Sequence, residues 1–139
     1  MRQIDDQYVR AGTVRIGYVQ FAFLGQESTW AAEASECADE QGAFWAYHDY
    51  LFTHQKGENQ GAFSRENLKK FAAELKLNTQ TFDQCLDSGK YQEVVRAEVA
   101  KVQALGVPST PAFAINGQPA MGALTFDVFR QYIEAALKP

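Results

Sequence analysis

The sequence predicts an α/β domain whose strands are separated by a long helical block. Three observations point there. Val14–Phe21 alternates large apolar with small or polar residues, the period of a strand. From Gln26 to Leu105 apolar residues recur at helical spacing with only short breaks. Ala112–Ile115 then runs into Asn116-Gly117, the strongest short hairpin signal, because a type I′ turn needs positive φ twice.

Residues 1–10 read as the last turns of a helix, broken by Gly12. After the strand, Gln26 to about Gln41 is helical, with Trp30, Ala34, Cys37 and Ala38 on one face, and Gly42 ends it. Phe44–Gln55 is a second helix with Phe44, Tyr47, Leu51 and Phe52 to one side. The polar run Lys56-Gly57-Glu58-Asn59-Gln60-Gly61 is the best candidate for a mobile loop. Ser64 is a good N-cap for Arg65–Leu75. Asn78 or Thr79 caps a short helix carrying Phe82, Cys85 and Leu86, and Asp87-Ser88-Gly89 breaks it. Lys90–Leu105 is a longer helix with Val94, Val95, Ala97, Val99, Val102 and Leu105, and Gly106 closes it as a left-handed C′ residue. A return strand runs to about Gly122. Thr125 caps the last helix, Phe126–Leu137, which turns Phe126, Phe129 and Ile133 inward.

Composition narrows the function. The 139 residues are 46% hydrophobic and 13% aromatic, with a net charge of −4 and interspersed signs. That favours a globular domain with a real core and argues against nucleic-acid binding. No apolar run approaches roughly 18 residues, so no membrane span is expected. The first residues lack the apolar core of a signal peptide, so a chain starting at Met1 is expected in the cytoplasm unless a leader has been cut away.

Thr110-Pro111 follows the Gly106 stop and Val107-Pro108-Ser109. In isolation it reads as a trans proline opening an edge strand, since cis occurs in only about 5–6% of X-Pro bonds in folded proteins. The helix stop, the proline run and the hairpin together favour cis at Pro111. Such a loop, Ser109-Thr110-Pro111, offers backbone groups to an extended peptide.

The cysteines are Cys37 and Cys85, both on apolar faces of predicted helices. They read either as buried small hydrophobes or, preferably, as a structural disulfide. The latter would close a loop of about 48 residues and stabilise by roughly 4 kcal/mol. A redox-active pair is disfavoured, because Glu36 and Asp39 flank Cys37 and oppose a thiolate. His48 and His54 share no face of their helix, and no Cys or carboxylate stands at ligand spacing, so neither metal nor cofactor is expected. His48 reads as a packing or capping residue among aromatics. Trp30, Phe44, Trp45 and Tyr47 read as core, and Asp5, Asp6, Glu33, Glu36, Asp39 and Glu40 as solvated faces.

Several segments resemble the DsbA-like thiol:disulfide oxidoreductases. Phe23–Ala34, Glu36-Cys37-Ala38, Gln41–Trp45 and Tyr47–Phe52 look like that family's helical insert. Phe82–Tyr91 and Leu105–Gly117 look like its next signature and its cis-proline segment. The resemblance implies a thioredoxin-like fold with an inserted helical domain, residues 1–25 and 106–139 forming the thioredoxin-like part and 26–105 the insert with its returning helix. It implies an auxiliary structural disulfide between Cys37 and Cys85, a cis-proline at Pro111 preceded by Thr110, and cysteine-bearing protein substrates, usually outside the cytoplasm. The family opens with a central strand and a Cys-x-x-C at the start of the first helix. Here Ile4–Val9 resembles only the end of that helix. The family also usually carries a charged or proline-containing step at Gln20-Phe21-Ala22-Phe23.

The expectation is therefore a truncated DsbA-like protein without dithiol catalysis, with no catalytic residue of its own. It would keep a peptide-facing loop and close its exposed strand edges as a homodimer or with a protein partner. The alternative is an active oxidoreductase, either as part of a longer enzyme or through Cys37 and Cys85.

Overall fold

The computed structural model describes residues 2–138, which fall into two compact units. One is Gln20–Val102. The other combines Met1–Val19 with Gln103–Pro139.

The helical unit is built on α2 (Gln26–Asp39), α3 (Phe44–His54), α4 (Arg65–Glu74) and α5 (Thr79–Ser88), with α6 starting at Gln92 and running to Ala104. α2 packs on α3, α4 and α5. It is buried well beyond the predicted single face: Ala31 through Ser35, Cys37 and Ala38 are all inside. Tyr47, Leu68, Ala72, Phe82 and Leu86 complete the core, none of them with any exposure. The Tyr47 hydroxyl donates to the Leu68 carbonyl oxygen at 2.8 Å, so the buried phenol is satisfied.

Local chemistry sets the helix ends. Ser64 Oγ accepts from the Asn67 N–H at 3.4 Å, and Asn78 Oδ1 accepts from the Thr81 N–H at 3.1 Å. α5 continues through Ser88 and stops at Gly89, later than the predicted break at Asp87. α6 buries only Val95 fully; Val94 and Leu105 are exposed. Phe52 and Trp45, predicted to face the core, are also exposed, because α3 turns Tyr47 inward, against Leu68 and Phe82.

The predicted mobile loop is pinned instead. Glu27 accepts from the Gly61 and Phe63 N–H groups at 2.7 and 2.8 Å, and Asn59 Nδ2 donates to the Leu24 carbonyl at 2.7 Å. A polar run reads as loop in sequence, but a carboxylate from a distant helix had orphan backbone donors there to satisfy.

In the other unit, α1 (Arg2–Ile4) continues as a π-helical stretch over Asp5–Val9. β1 (Ala112–Ile115) and β2 (Gln118–Met121) form an antiparallel hairpin, with Phe113 opposite Ala120 and Ile115 opposite Gln118. Asn116 and Gly117 take φ of 46° and 83°, as a type I′ turn requires. α7 (Phe126–Ala136) starts after Thr125, whose side chain makes no cap hydrogen bond. Phe129 and Ile133 pack with Ile4, and Phe113 meets Phe129 edge-on at 4.7 Å.

The predicted strand Val14–Phe21 is not a strand among the described residues. Its alternation is real, since Val14 and Ile16 pack on this unit's core while Arg15 and Gly17 are exposed. A strand needs a ladder, however, and the only described ladder is β1 with β2. The Val14 N–H bonds the Tyr8 carbonyl, and the Gln20 N–H bonds a carboxylate.

Glu33 is also not a solvated residue. It is 2% exposed, and its nearest described cation, Arg65 Nη2, is 3.7 Å away, beyond hydrogen-bond range. Arg65 is committed to the Leu86 carbonyl at 2.7 Å and lies over the Trp30 ring. Burial raises the Glu33 carboxyl above its ordinary 4.5, and Arg65 pulls it partly back. The folded chain thus keeps a proton that the unfolded chain has already lost. Stability from this group is full below about 4.5 and is lost as pH rises through the folded value. Glu33→Gln should therefore gain on the wild type as pH rises from 4 to 7 in urea unfolding; a constant difference would refute the assignment.

Candidate functional site

Two groups of predicted site residues lie in different units. The first is the loop Ser109-Thr110-Pro111. Gly106, with φ of 70°, ends the α6 segment and lets the chain turn. Ser109, Thr110 and Pro111 are exposed, and the Thr110–Pro111 peptide bond is cis. The Pro111 carbonyl accepts from the Gly122 N–H at 2.8 Å, just before the β1–β2 ladder begins. β1 pairs with β2 on one side, and no described segment pairs with its other edge. The loop therefore stands at the entrance to an open strand edge. It offers hydroxyl and backbone groups but no thiol, acid or base.

The second is the cysteine pair. Cys37 on α2 and Cys85 on α5 form a disulfide with Cα atoms 5.9 Å apart. The residues are 1% and 5% exposed. With both sulfurs bonded, neither can act as a nucleophile with His48 or His54. His48 lies among Phe44, Trp45 and Phe52 with its Nδ1 near Asp49 at 3.0 Å, and His54 stacks on Tyr50 at 3.9 Å. Among the described residues, no three His, Cys, Asp or Glu side chains gather as a metal cluster.

The sequence reading missed a polar junction. Gln20, 5% exposed, donates its Nε2 to Ser35 Oγ and to Glu36 Oε1, both at 2.8 Å, and its backbone N–H to Glu98 Oε2 at 2.6 Å. Burial raises the Glu36 carboxyl above its ordinary range; the Gln20 hydrogen bond opposes this, while Glu98 and Asp39 add to it. Glu36 is thus partly buried rather than a solvated face. The signal was present: Gln20 shares the parity of Val14 and Ile16, so a polar residue fell on the inward side of an alternating segment.

The hairpin, the cis-proline loop and the helical unit together define a thioredoxin-like fold with a helical insertion. The chain belongs to the thioredoxin family, which it matches over residues 1–135, and it is DsbA-like. It is similar to the probable disulfide bond formation protein D of Bacillus anthracis, 27% identical over 98% of this chain and 64% of that protein. The chain thus spans 64% of that relative's length. The crystal structure of oxidised BdbD from Bacillus subtilis matches with a TM-score of 0.89 at 25% identity, covering 100% of this chain and 77% of that one. A stretch of 106 residues is 37% identical to part of the Na(+)/H(+) antiporter NhaA of Herminiimonas arsenicoxydans, covering 76% of this chain and 16% of that protein. No described helix here is long and apolar enough to cross a membrane.

These relatives correct the expectation of a truncated, non-catalytic protein. Proteins matched over nearly the whole chain are named as disulfide bond formation proteins, and no non-catalytic reading follows from them. The absence of a Cys-x-x-C from 139 residues carried little weight, because those residues represent only 64% of the relative.

The cross-link should stabilise the helical unit. The disulfide spans a sequence separation of 48. Cys37→Ser with Cys85→Ser should cost about 4 kcal/mol in urea unfolding in the chain-entropy view. Reductant should move the wild type to the same midpoint and leave the double variant unmoved.

Proposed function

We propose that these residues form the body of a thiol:disulfide oxidoreductase whose exchanging thiols lie outside residues 1–139. The observation that carries this reading is the match of the whole chain to oxidised BdbD, together with the disulfide bond formation proteins among its relatives. In such exchange, a thiolate attacks a disulfide sulfur, a mixed disulfide forms, and a second thiol displaces the first. One partner gains a disulfide as the other is reduced to two thiols, so electrons balance between enzyme and substrate. Cys37 and Cys85 do not fit this role, because in-line attack needs access and both are buried.

The exposed Ser109-Thr110-Pro111 loop and the open edge of β1 would receive the substrate. An extended polypeptide can hydrogen-bond there through its backbone, which suits cysteine-bearing substrates of varied sequence. The oxidised Cys37–Cys85 pair favours work in an oxidising compartment over the cytoplasm.

The test is exchange with a dithiol peptide or insulin by the product of the complete reading frame, with and without Cys37→Ser and Cys85→Ser. The double variant should keep its rate within roughly tenfold, about 1.4 kcal/mol in the barrier. A folded double variant with no exchange would move the chemistry to Cys37 and Cys85. An inactive complete product would overturn the reading.

We infer separately that the 139-residue chain alone forms a homodimer by pairing its open β1 edges, because unpaired strand edges recruit other chains. Sedimentation equilibrium at high micromolar concentration should show a dimer; a clean monomer would sink this inference.

A further inference from the structure

Glu33 lies on α2 with its Oε2 buried and without a hydrogen-bond partner among the described residues. Arg65 faces it from α4, with Nη2 3.7 Å from that oxygen. The other nitrogen of the same guanidinium, Nη1, donates to the Leu86 carbonyl at 2.7 Å. Leu86 follows Cys85 directly, in the last turn of α5. One partly exposed cation thus stands between a buried acid and the backbone beside the disulfide. Its guanidinium carbon lies 5.5 Å from the centre of the Trp30 ring, close enough for that ring to hold it through a small shift.

A charge-assisted bond from a guanidinium to a carboxylate is about 2.7–2.9 Å long, so Arg65 stands roughly 1 Å short of one with Glu33. A neutral carboxyl asks little of Arg65. An ionised one, buried and unpaired, is costly and draws the guanidinium across. The Leu86 carbonyl is then left with the Gly89 N–H at 3.3 Å. Burial raises the Glu33 carboxyl and Arg65 pulls it partly back, so its proton leaves above the ordinary 4.5. α3, α4 and α5 all pack on α2, and their other titratable groups are engaged elsewhere. Lys69 pairs with Asp87, Lys70 with Glu66 and Tyr50 with Glu74, while Tyr47 bonds the Leu68 carbonyl. His48 lies against Asp49 and His54 on Tyr50. Asp83 on α5 makes no ion pair among the described residues, and its Oδ1 is likewise buried without a hydrogen-bond partner.

We propose that Arg65 is a protonation-dependent latch on the Cys37–Cys85 disulfide. With Glu33 neutral, Arg65 holds the last turn of α5 at Leu86. With Glu33 charged, it turns to that carboxylate and lets the turn beside Cys85 open locally to a small reductant. Rising pH therefore speeds reduction of the buried pair. Arg65 and Glu33 are positioning residues, and the latch stands apart from the oxidoreductase reading, whose exchanging thiols lie elsewhere.

The test is the rate at which a water-soluble phosphine reduces the folded 139-residue chain between pH 4 and 7, read by alkylating the freed thiols. Phosphorus attacks one sulfur and the S–S bond breaks. The other sulfur leaves as a thiolate and takes a proton, and water releases the second thiol and the phosphine oxide. Each rate is divided by that of oxidised glutathione at the same pH, which removes the reagent's own pH dependence. The wild-type ratio should rise about tenfold with pH, equivalent to 1.4 kcal/mol in the opening equilibrium. Glu33→Gln should stay flat at the slow acid value, and Arg65→Gln should be fast already at pH 4. A flat wild-type profile, a Glu33→Gln profile that still rises, or a slow Arg65→Gln would overturn the latch. Should either variant fail to fold by circular dichroism, carbon NMR of the wild type decides. The Leu86 carbonyl shift should titrate with the Glu33 carboxyl, and a Leu86 carbonyl that does not follow it would refute the proposal.

Discussion

The helical unit depends on one constraint, the burial of α2 on several sides. Ala31, Ala32, Ala34 and Ala38 are small, and their size lets α3, α4 and α5 all approach the same helix. With four helices gathered around so little side-chain volume, larger residues must come from the partners. Tyr47 and Phe82 supply them, with ring centroids 5.4 Å apart. Each polar group drawn into this core then needs a partner. Tyr47 finds the Leu68 carbonyl and Ser35 finds Gln20 and the Ala32 carbonyl. Glu33 Oε2 has no hydrogen-bond partner among the described residues and stands 3.7 Å from Arg65, and burial raises its carboxyl pKa against that cation's pull. The disulfide belongs to the same constraint, because Cys37 follows Glu33 by one turn and holds α2 to α5.

The other unit is organised differently. Its core is a small cluster of Ile4, Phe129 and Ile133, supported by Phe113 and Ile115 from β1 and by Val14 and Ile16 from the unpaired segment. The hairpin is complete in itself, yet β1 is left with one edge unmatched among the described residues. Val14–Gln20 has the side-chain pattern of a strand and no ladder. Pattern records which side chains face a core; a ladder requires a second backbone at hydrogen-bond distance.

That distinction explains what the sequence made legible. Signals that act locally were readable: the Ser64 and Asn78 caps, the left-handed Gly106, the Asn116-Gly117 turn and the periodicity of α2 through α7. The thioredoxin-like fold was readable through the resemblance of nearly the whole chain to one family. What depended on distant partners was not. Glu27 lies in the first turn of α2, and nothing in its neighbours announces that it will bind the Gly61 and Phe63 amides. Trp45 and Phe52 are as apolar as Tyr47, yet of the three only Tyr47 is buried, against Leu68 and Phe82 from α4 and α5. The functional expectation failed for a related reason. It read activity from the cysteines within 139 residues, whereas the relatives matched by this chain are longer.

A chain that contains one disulfide and resembles disulfide-forming proteins tempts the inference that this disulfide is the working one. Its surroundings argue against that. Exchange needs a sulfur that an incoming thiolate can approach along the S–S axis and a leaving thiol that is readily stabilised as an anion. Cys37 and Cys85 are buried in the helical unit's core cluster, which also holds Ala34, Ala38, Phe82 and Leu86. Glu36 and Asp39 beside Cys37 would raise the cost of any thiolate formed there. Opening the pair would also release the α2–α5 cross-link on which the unit's packing relies. The exposed Ser109-Thr110-Pro111 loop has the opposite character: access and free backbone groups, but no sulfur. The cross-link thus belongs to one unit and the accessible strand edge to the other.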